Sequence, residues 1–166
     1  MFKRSLLTAL IFLLTFSIYA AQTEWVNVAP IGGGFSVMMP AKPTEDSKVD
    51  KDYSSHSLML TKDATIYILE YGDYAPTIKL DPAGELAANR ENFVKTVEGK
   101  LLESKEISLQ GRSGLAFSAE SANLSVKYRV YIFGNRVFML AGAIKKGETD
   151  FQNVDRFLTS FAFAQP

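Results

Sequence analysis

The side chains best suited to catalysis are few in this sequence. It contains one histidine, His56, and no cysteine. Because histidine titrates near pH ~6.5, His56 could serve as a base or as a metal ligand. Either role needs partner side chains, and its neighbours Tyr53, Ser54 and Ser55 indicate none. We therefore interpret His56 as a surface or structural residue, and we predict no catalytic, metal-binding or cofactor-binding residues.

A run of three glycines, Gly32 to Gly34, could suggest a phosphate-binding loop. Such a loop needs a strand before it, a helix after it and, in its common versions, a Gly-Lys-Ser/Thr sequence. Here a strand-like run follows, and no lysine is placed for the purpose. The run therefore predicts a turn whose backbone needs positive φ.

The segment from residue 40 to residue 52 is polar and carries acidic and basic side chains together. A calcium loop would need oxygen ligands at alternating positions, a glycine turn and a closing glutamate. Asp50 and Asp52 alone do not meet that pattern. We predict that this segment is a surface loop of mixed charge.

Several tyrosines and one arginine form our candidate interaction surface. We expect Tyr67, Tyr71, Tyr74 and Tyr131 to share a sheet face outside the core, with Arg129 on the Tyr131 side of its strand. Tyrosine and arginine favour interfaces, because each combines contact area with a polar group. The sequence leaves open the alternative that these rings pack beneath the helices.

The elements that must position these residues begin with residues 121–144. Leu124, Val126, Tyr128, Val130 and Ile132 alternate with more polar positions, which indicates a strand with one buried face. Gly134 and Asn135 then predict a two-residue hairpin turn. The following run is apolar on both sides, so we predict that it is a central strand covered on two faces.

Six further strand signals precede this hairpin along the chain. Residues 53–61 and 64–73 predict a second hairpin joined at Lys62 and Asp63, and short strands are expected at 25–28 and 35–39. Residues 101–109 and 114–121 predict two more strands, so the C-terminal half contains four successive antiparallel strands.

Two helices are expected. The first runs from the N-cap Asp81 and Pro82 to a stop at Gly99, with Glu85 on its solvated face. The second is predicted to start at Thr149 with a capping box to Gln152. Their apolar stripes comprise Ala83, Leu86, Ala87, Arg90, Phe93, Val94 and Val97 in the first, and Phe151, Val154, Phe157, Leu158 and Phe161 in the second.

The first twenty residues have the layout of a secretory signal peptide. Lys3 and Arg4 precede an apolar run, and the small residues Ala20 and Ala21 end it. We expect residues 1–20 to be this signal and residues 21–166 to form a single domain, either periplasmic or secreted. The alternative is an uncleaved N-terminal anchor, which would be the chain's only membrane attachment.

Composition limits the possible partners. The 18 basic residues are balanced by 18 acidic ones, and no basic patch stands out, so nucleic-acid binding has no electrostatic footprint. Export without disulfides fits a bacterial envelope better than a small animal secreted domain.

Strands in runs, with helices outside the strand order, predict an α+β sandwich of a sheet and helices rather than a doubly wound sheet.

Two parts of the chain carry a resemblance. The stretch Gly34-Phe35-Ser36-Val37-Met38-Met39-Pro40-Ala41-Lys42-Pro43 resembles the opening "GFSV-x-MP-x-KP" of small exported bacterial proteins, and residues 128–161 resemble their close. This close is also similar to the PsbP-like and Mog1-like superfamily. The resemblance implies an antiparallel β-sheet sandwiched by helices and accessory, non-catalytic binding roles. PsbP proteins assist photosystem II and Mog1 binds a small GTPase, but no interaction residue of either matches a position here.

These observations favour a non-enzymatic, exported accessory or binding protein of the bacterial cell envelope, whose partner is another envelope protein or a small ligand. One alternative is a small-molecule or lipid carrier with a cavity between sheet and helix. A small hydrolase is less well supported, because acid and base groups would have to converge in a cleft.

Overall fold

A computed structural model describes residues 24–165, and these form ten strands and two helices. The helices are α1 (Pro82–Thr96) and α2 (Gln152–Ser160). The strands, in chain order, are β1 (Val26–Val28), β2 (Phe35–Met39), β3 (Thr44–Val49), β4 (Tyr53–Lys62), β5 (Thr65–Tyr74), β6 (Lys100–Leu109), β7 (Arg112–Glu120), β8 (Leu124–Phe133), β9 (Arg136–Lys145) and β10 (Ala162–Phe163).

The strands form one large sheet and one small sheet. The large sheet has seven antiparallel strands in the order β3-β4-β5-β9-β8-β7-β6, and the small sheet has the order β1-β2-β10. The β8–β9 hairpin is confirmed: Phe133 pairs with Arg136 across Gly134 and Asn135, and Gly134 has a φ of 59°. Four successive antiparallel strands, β6 to β9, lie side by side as predicted.

Each face of the large sheet is covered by a different layer, as the α+β sandwich prediction requires. One face packs against α1 through a cluster that includes Leu86, Phe117 and Tyr128. The other face packs against α2 and the small sheet through a cluster that includes Phe157 and Trp25. The predicted fold class, an antiparallel sheet between helices, is therefore confirmed.

Strand β9 is the central strand of this sandwich, and both of its faces are buried as predicted. Val137, Ala141 and Ala143 join the α1-side cluster, while the alternate residues Phe138 and Leu140 join the α2-side cluster. The apolar residues on both sides of β9 thus correctly predicted a strand that is covered on both faces.

The remaining turns follow the sequence closely. Gly32 and Gly34 have φ of 75° and 74°, which confirms the predicted positive-φ turn, and strand β2 follows it at Phe35. The β4–β5 turn consists of Asp63 and Ala64, with φ of 49° and 60°, one residue later than the predicted Lys62 and Asp63. Positive φ at both central residues is the geometry that twisted hairpins favour, and here it is adopted without glycine.

Helix α1 begins as predicted but ends differently. The Asp81 carboxylate accepts a hydrogen bond from the Gly84 backbone N–H at 3.2 Å. At the C-terminus the left-handed residue is Glu98, with φ of 49°, and Gly99 N–H donates to the Val94 carbonyl. The chain thus forms a Schellman-type end in which Glu98 occupies the position that glycine usually takes.

Replacing Asp81 by alanine is expected to lower the free energy of unfolding by about 1 kcal/mol, because the Gly84 N–H loses its acceptor. Replacing Asp81 by serine keeps an acceptor and should change stability by only a few tenths of a kcal/mol. Urea denaturation of both variants checks this, and equal losses would contradict the capping role.

Three local predictions are wrong. Residues 44–49, within the predicted loop, form the edge strand β3, which is fully exposed and is held by backbone pairing with β4. Thr149 does not begin a helix, because α2 starts at Gln152 and the Asp150 carboxylate accepts from its N–H at 3.0 Å. Glu85 is half-buried rather than solvated, since its carboxylate accepts from Tyr74 and Asn89.

The predicted signal peptide, residues 1–20, lies outside the described residues. Among residues 24–165, neither helix combines the length and the apolar character needed to cross a membrane.

Candidate interaction surface

The five residues predicted as an interaction surface do not form one. Tyr67, Tyr71 and Tyr131 are buried in the α2-side core, with 2%, 5% and 2% of their surface exposed. Tyr74 lies on the opposite, α1-facing side of β5. The expected shared face outside the core is therefore wrong, because both faces of the sheet are covered and the rings fill the space beneath the covering layers.

Arg129 instead contacts helix α2 and helps to position it on the sheet. Its Nη1 donates to the Leu158 carbonyl near the end of α2 at 3.2 Å, and its side chain is half-buried. Two residues earlier on β8, the Lys127 ammonium forms an ion pair with Asp155 at 2.8 Å. Both cations fix α2 on the sheet, and a role of Arg129 in partner binding stays a prediction.

Exposed apolar side chains and arginines meet instead at one end of the large sheet, where β8 turns into β9. We call this region the hairpin-end surface and define it by Ile31, Arg112, Phe133, Asn135 and Arg136. Ile31 is fully exposed at the tip of the loop before β2, and Phe133 keeps 55% of its surface exposed at the end of β8. Two large apolar groups therefore stand in water at the same end of the molecule.

Arg136 fixes the backbone of this surface. Its Nε and Nη2 donate to the two carboxylate oxygens of Asp73 at 2.7 and 2.6 Å. Its Nη1 donates to the carbonyls of Gly32 and Gly33 at 2.7 and 2.9 Å. The hydrogen bonds that Arg136 donates to the Asp73 carboxylate raise the pKa of Arg136, so the guanidinium stays charged. One side chain thus ties the Ile31 loop to β5 and β9.

Asn135 anchors the hairpin turn from the other side. Its Nδ2 donates to the carbonyls of Ala75 and Ile78, both at 3.0 Å, and these residues belong to the segment that leads into α1. The Tyr74 N–H in turn donates to the Asn135 carbonyl at 2.9 Å. The turn that presents Phe133 is therefore braced by three hydrogen bonds to a distant part of the chain.

Arg112 lies between two aromatic rings. Its guanidinium carbon is 4.0 Å from the ring centroids of both Phe133 and Phe163, which is within cation–π range. Phe163 is held in place because the Gln110 side chain accepts from its N–H at 2.8 Å and donates to its carbonyl at 3.3 Å. Within residues 24–165, no carboxylate forms an ion pair with Arg112.

These groups border an open cleft of about 490 Å³. Its lining is mostly apolar and comprises Gly34, Asp73, Arg112, Phe133, Asn135, Arg136, Phe138, Phe163 and Ala164. The cleft joins a charged guanidinium to an aromatic surface, and the elements around it are pinned by the hydrogen bonds of Arg136 and Asn135. This arrangement offers a binding partner a positive charge and an apolar surface. The described residues that line it include no nucleophile paired with a base.

Sequence reasoning missed this surface, although part of the signal was present. Phe133 is the last residue of β8, directly before the predicted Gly134-Asn135 turn, so its exposure reflects the end of the strand; Tyr131, on the same face, is buried. Ile31 precedes three glycines and has no apolar partner in the alternation of a strand. By contrast, the approach of Arg112 to Phe163 and of Arg136 to Gly32 depends on contacts between distant segments, which no local pattern indicates.

His56 is half-buried and stacks on Tyr71, with ring centroids 4.8 Å apart, which fits the structural interpretation of this residue. In the described part of the chain, no group of three or more histidine and carboxylate side chains is arranged to hold a metal ion.

A second cleft lies between the first half of α1 and strands β6 and β7. Its volume is about 400 Å³, and Leu86, Leu115, Ala83 and Ala87 line it. Leu86 is the only buried residue of α1, so this helix covers its face of the sheet loosely.

On the same face, Glu70 of β5 pairs across the sheet with Met139 and Ser57. Burial raises the pKa of the Glu70 carboxyl above its ordinary value. A raised pKa means that Glu70 favours the folded state at low pH and that this contribution is lost as pH rises through the folded-state pKa. At neutral pH the ionised carboxylate therefore costs stability.

Replacing Glu70 by glutamine is expected to raise the thermal midpoint at pH 7.5, and the gain should shrink as pH falls through the raised folded-state pKa, with little left below the unfolded-state value of ~4.3. Thermal unfolding followed by circular dichroism across this range checks the expectation. The exposed Glu106, on the same side of the sheet, provides the matched Glu-to-Gln control, for which no such pH-dependent gain is expected. A gain for Glu70→Gln that is the same at pH 4 and pH 7.5 would contradict the burial argument.

Comparisons with known proteins bear on the fold. No protein-family model and no curated protein sequence matches the chain. Among solved structures, it is similar to cyanobacterial PsbP (CyanoP) from Synechocystis sp. PCC 6803, with a TM-score of 0.61 and 10% identity, covering 87% of this chain and 95% of that one.

Two further solved structures are more distant. A Pseudomonas aeruginosa protein of unknown function, described as a putative regulator, has a TM-score of 0.42 and 15% identity over 74% of this chain and 83% of that one. A Bacteroides thetaiotaomicron protein has a TM-score of 0.38 and 11% identity over 87% of this chain and 49% of that one. The likeness to the cyanobacterial protein confirms the fold that the sequence resemblance implied, and the chain has a PsbP-like fold.

Proposed function

We propose that this chain is an exported, non-enzymatic accessory protein of the bacterial cell envelope that binds another protein through the hairpin-end surface. The observation that carries the proposal is the exposure of Phe133 beside Arg112 and of Ile31 on the loop that Arg136 holds. The signal-like N-terminal sequence supports export, and the PsbP-like fold agrees with an accessory role.

The composition of this surface is that of a binding hot spot. Aromatic residues and arginine are enriched at protein interfaces, and a few such residues carry most of the binding energy. Binding through Ile31 and Phe133 requires little further ordering of the backbone, because Arg136 and Asn135 already hold both loops. The surface is therefore preorganised for association.

The test is recovery of a cross-linked partner from envelope extract. We expect Ile31→Ser combined with Phe133→Ser to lower recovery of the partner captured by the wild-type protein at least tenfold, because both side chains lose buried contact area. The matched control is Met59→Ser combined with Leu102→Ser, two side chains that are 47% and 55% exposed on other parts of the sheet. The control should recover the same partner as the wild type.

Unchanged recovery by a folded Ile31/Phe133 variant would contradict the proposal. The earlier candidate residues offer no equivalent test, since Tyr131→Ala would open a cavity in the core rather than alter a surface.

A second candidate function is a small-molecule or lipid carrier, and the cleft beside α1 favours it. Its volume of about 400 Å³ lies within the range of small-molecule sites, and Leu86 and Leu115 give it an apolar wall. Native mass spectrometry of protein purified from the cell envelope tests this function. A bound ligand that is retained by the wild type and lost on Ala87→Trp would support a carrier over a protein-binding accessory role.

A further inference from the structure

We propose that the hairpin-end surface recognises a carboxylate next to an apolar side chain on the partner protein, with Arg112 as the group that binds the carboxylate. This inference rests on the proposed function and specifies the chemistry of its partner. The carboxylate can belong to an acidic side chain or to a chain terminus, since both present the same two oxygens.

The first argument is the state of the Arg112 guanidinium. The ring centroids of Phe133 and Phe163 both lie 4.0 Å from its carbon, so the two rings flank the guanidinium. The five N–H donors lie within the guanidinium plane, in the fork geometry that matches a carboxylate. Among the described residues, no side chain or carbonyl accepts a hydrogen bond from Arg112, so these donors are available to an incoming anion.

The second argument is the balance of charge in the cleft. The other guanidinium there, Arg136, is already matched by Asp73 and by two backbone carbonyls. Among the described residues that line the cleft, Asp73 is the one acidic residue, so Arg112 gives this lining a net positive charge. A singly charged carboxylate would neutralise it, and a charge-assisted bidentate pair is the strong form of this contact.

The third argument concerns the apolar part of the ligand. Phe133, Phe138 and Phe163 line the cleft beside Arg112, and Ile31 is exposed on the loop that Arg136 holds. A ligand that supplied only a carboxylate would leave the exposed side chains of Phe133 and Ile31 in water. A carboxylate flanked by an apolar side chain uses both halves of the site.

The same features favour a protein over an anionic membrane. Recognition of an anionic lipid surface usually draws on several adjacent basic side chains, whereas the described lining of this cleft contains one guanidinium, Arg112, besides the Arg136 that pairs with Asp73. Phe133, which lines the cleft, is also 55% exposed, as a contact with a second protein surface requires.

The experiment uses nuclear magnetic resonance titration of the signal-free chain with three blocked dipeptides. N-acetyl-leucyl-phenylalanine carries a terminal carboxylate, N-acetyl-glutamyl-phenylalanine amide carries a side-chain carboxylate, and N-acetyl-glutaminyl-phenylalanine amide carries neither. We expect the two acids to shift the Arg112 side-chain N–H and the Phe133 and Asn135 amides with millimolar affinity, and the neutral peptide to bind at least tenfold more weakly. The stronger of the two acids identifies the source of the carboxylate.

Variants assign the effect to Arg112. Arg112→Gln should remove the difference between acidic and neutral peptides, and Arg112→Lys should retain part of it because the charge remains without the planar fork. The matched control is Arg156→Gln, since this guanidinium also stacks on an aromatic ring, Trp25 at 4.4 Å, but lies outside the surface. The control should bind the acids as the wild type does.

Equal shifts from all three peptides on the wild-type protein, or no shifts from any, would overturn the carboxylate inference. The proposed function would still stand if partner recovery continued to depend on Ile31 and Phe133, so the two failures are distinguishable. Sedimentation with phosphatidylglycerol vesicles that disappears in Arg112→Gln would overturn the inference by assigning the anion to a lipid.

Discussion

Replacing Phe157 by alanine is expected to lower the free energy of unfolding by about 3–5 kcal/mol, the range for large-to-small substitutions of buried aromatic residues. Phe157 is fully buried, with 0% of its surface exposed, and it is the centre of the α2 stripe that faces the sheet. Its ring meets Tyr67 edge to face at a centroid distance of 5.5 Å. The substitution removes this contact and leaves a cavity between α2 and β5.

The closely packed surroundings support a value near the upper part of this range. Val154, one helical turn earlier, is also fully buried and lies directly against Gly142 of β9. An added Cβ at Gly142 would collide with the Val154 side chain, so helix and sheet already approach as closely as their atoms allow. A backbone held in this way has little freedom to collapse into a new cavity.

The control is the same chemical change at Phe133, which is 55% exposed. Phe133→Ala should alter stability by no more than about 0.5 kcal/mol, as surface substitutions usually do, while weakening partner recovery. Urea denaturation of both variants gives the comparison. A loss of less than 1.5 kcal/mol for Phe157→Ala, or equal losses for the two variants, would contradict the assignment of Phe157 to the core and Phe133 to the surface.

The sheet could be predicted from the sequence wherever the alternation of apolar residues matched burial. In β8, Val126, Tyr128 and Val130 face the α1-side cluster, as their period of two indicates. In β9, apolar residues on both sides indicated a central strand. In both strands the apolar pattern reflects burial, because the positions that face a covering layer are apolar.

Prediction failed where structure depends on backbone pairing rather than on burial. Strand β3 is exposed along its whole length, and it is a strand only because Thr44 to Val49 pair with β4. An exposed edge strand with charged side chains also resists pairing with other molecules, and its polarity hides it from a search for apolar periodicity. The start of α2 was also mispredicted. The N-cap residue is Phe151, which makes no side-chain capping hydrogen bond and therefore leaves no capping signal in the sequence.

The candidate site shows a different limit. The positions of Tyr71 and Tyr74 could have been separated from sequence, because residues three apart in a strand lie on opposite faces. The burial of Tyr67 and Tyr71 could not, since it depends on the covering small sheet and α2. The hairpin-end surface joins segments far apart in the chain, and a single sequence contains no local signal for that meeting.

Replacing Arg136 by methionine is expected to lower the free energy of unfolding by about 2 kcal/mol and to loosen the loop that carries Ile31. The substitution keeps the apolar stem but removes four hydrogen bonds, two to Asp73 and two to the carbonyls of Gly32 and Gly33. Hydrogen bonds to charged groups contribute about 1.5–3 kcal/mol each when buried. The four hydrogen bonds together are expected to contribute much less than four times this value. The Arg136 and Asp73 side chains are 26% and 42% exposed, so water can replace part of the contact.

Hydrogen exchange separates loosening of the loop from a general loss of stability. The Gly33 amide donates to the Pro30 carbonyl at 2.9 Å inside the loop, so its exchange rate reports on loop opening. In Arg136→Met this amide should exchange faster by a larger factor than amides in the middle of β9, and partner recovery should fall because Ile31 is no longer held in place. Arg136→Lys keeps the charge but not the fork, so it should give an intermediate result. Equal acceleration at Gly33 and in β9, or unchanged exchange at Gly33, would show that Arg136 does not hold the loop, and the preorganised surface on which binding depends would lose its structural basis.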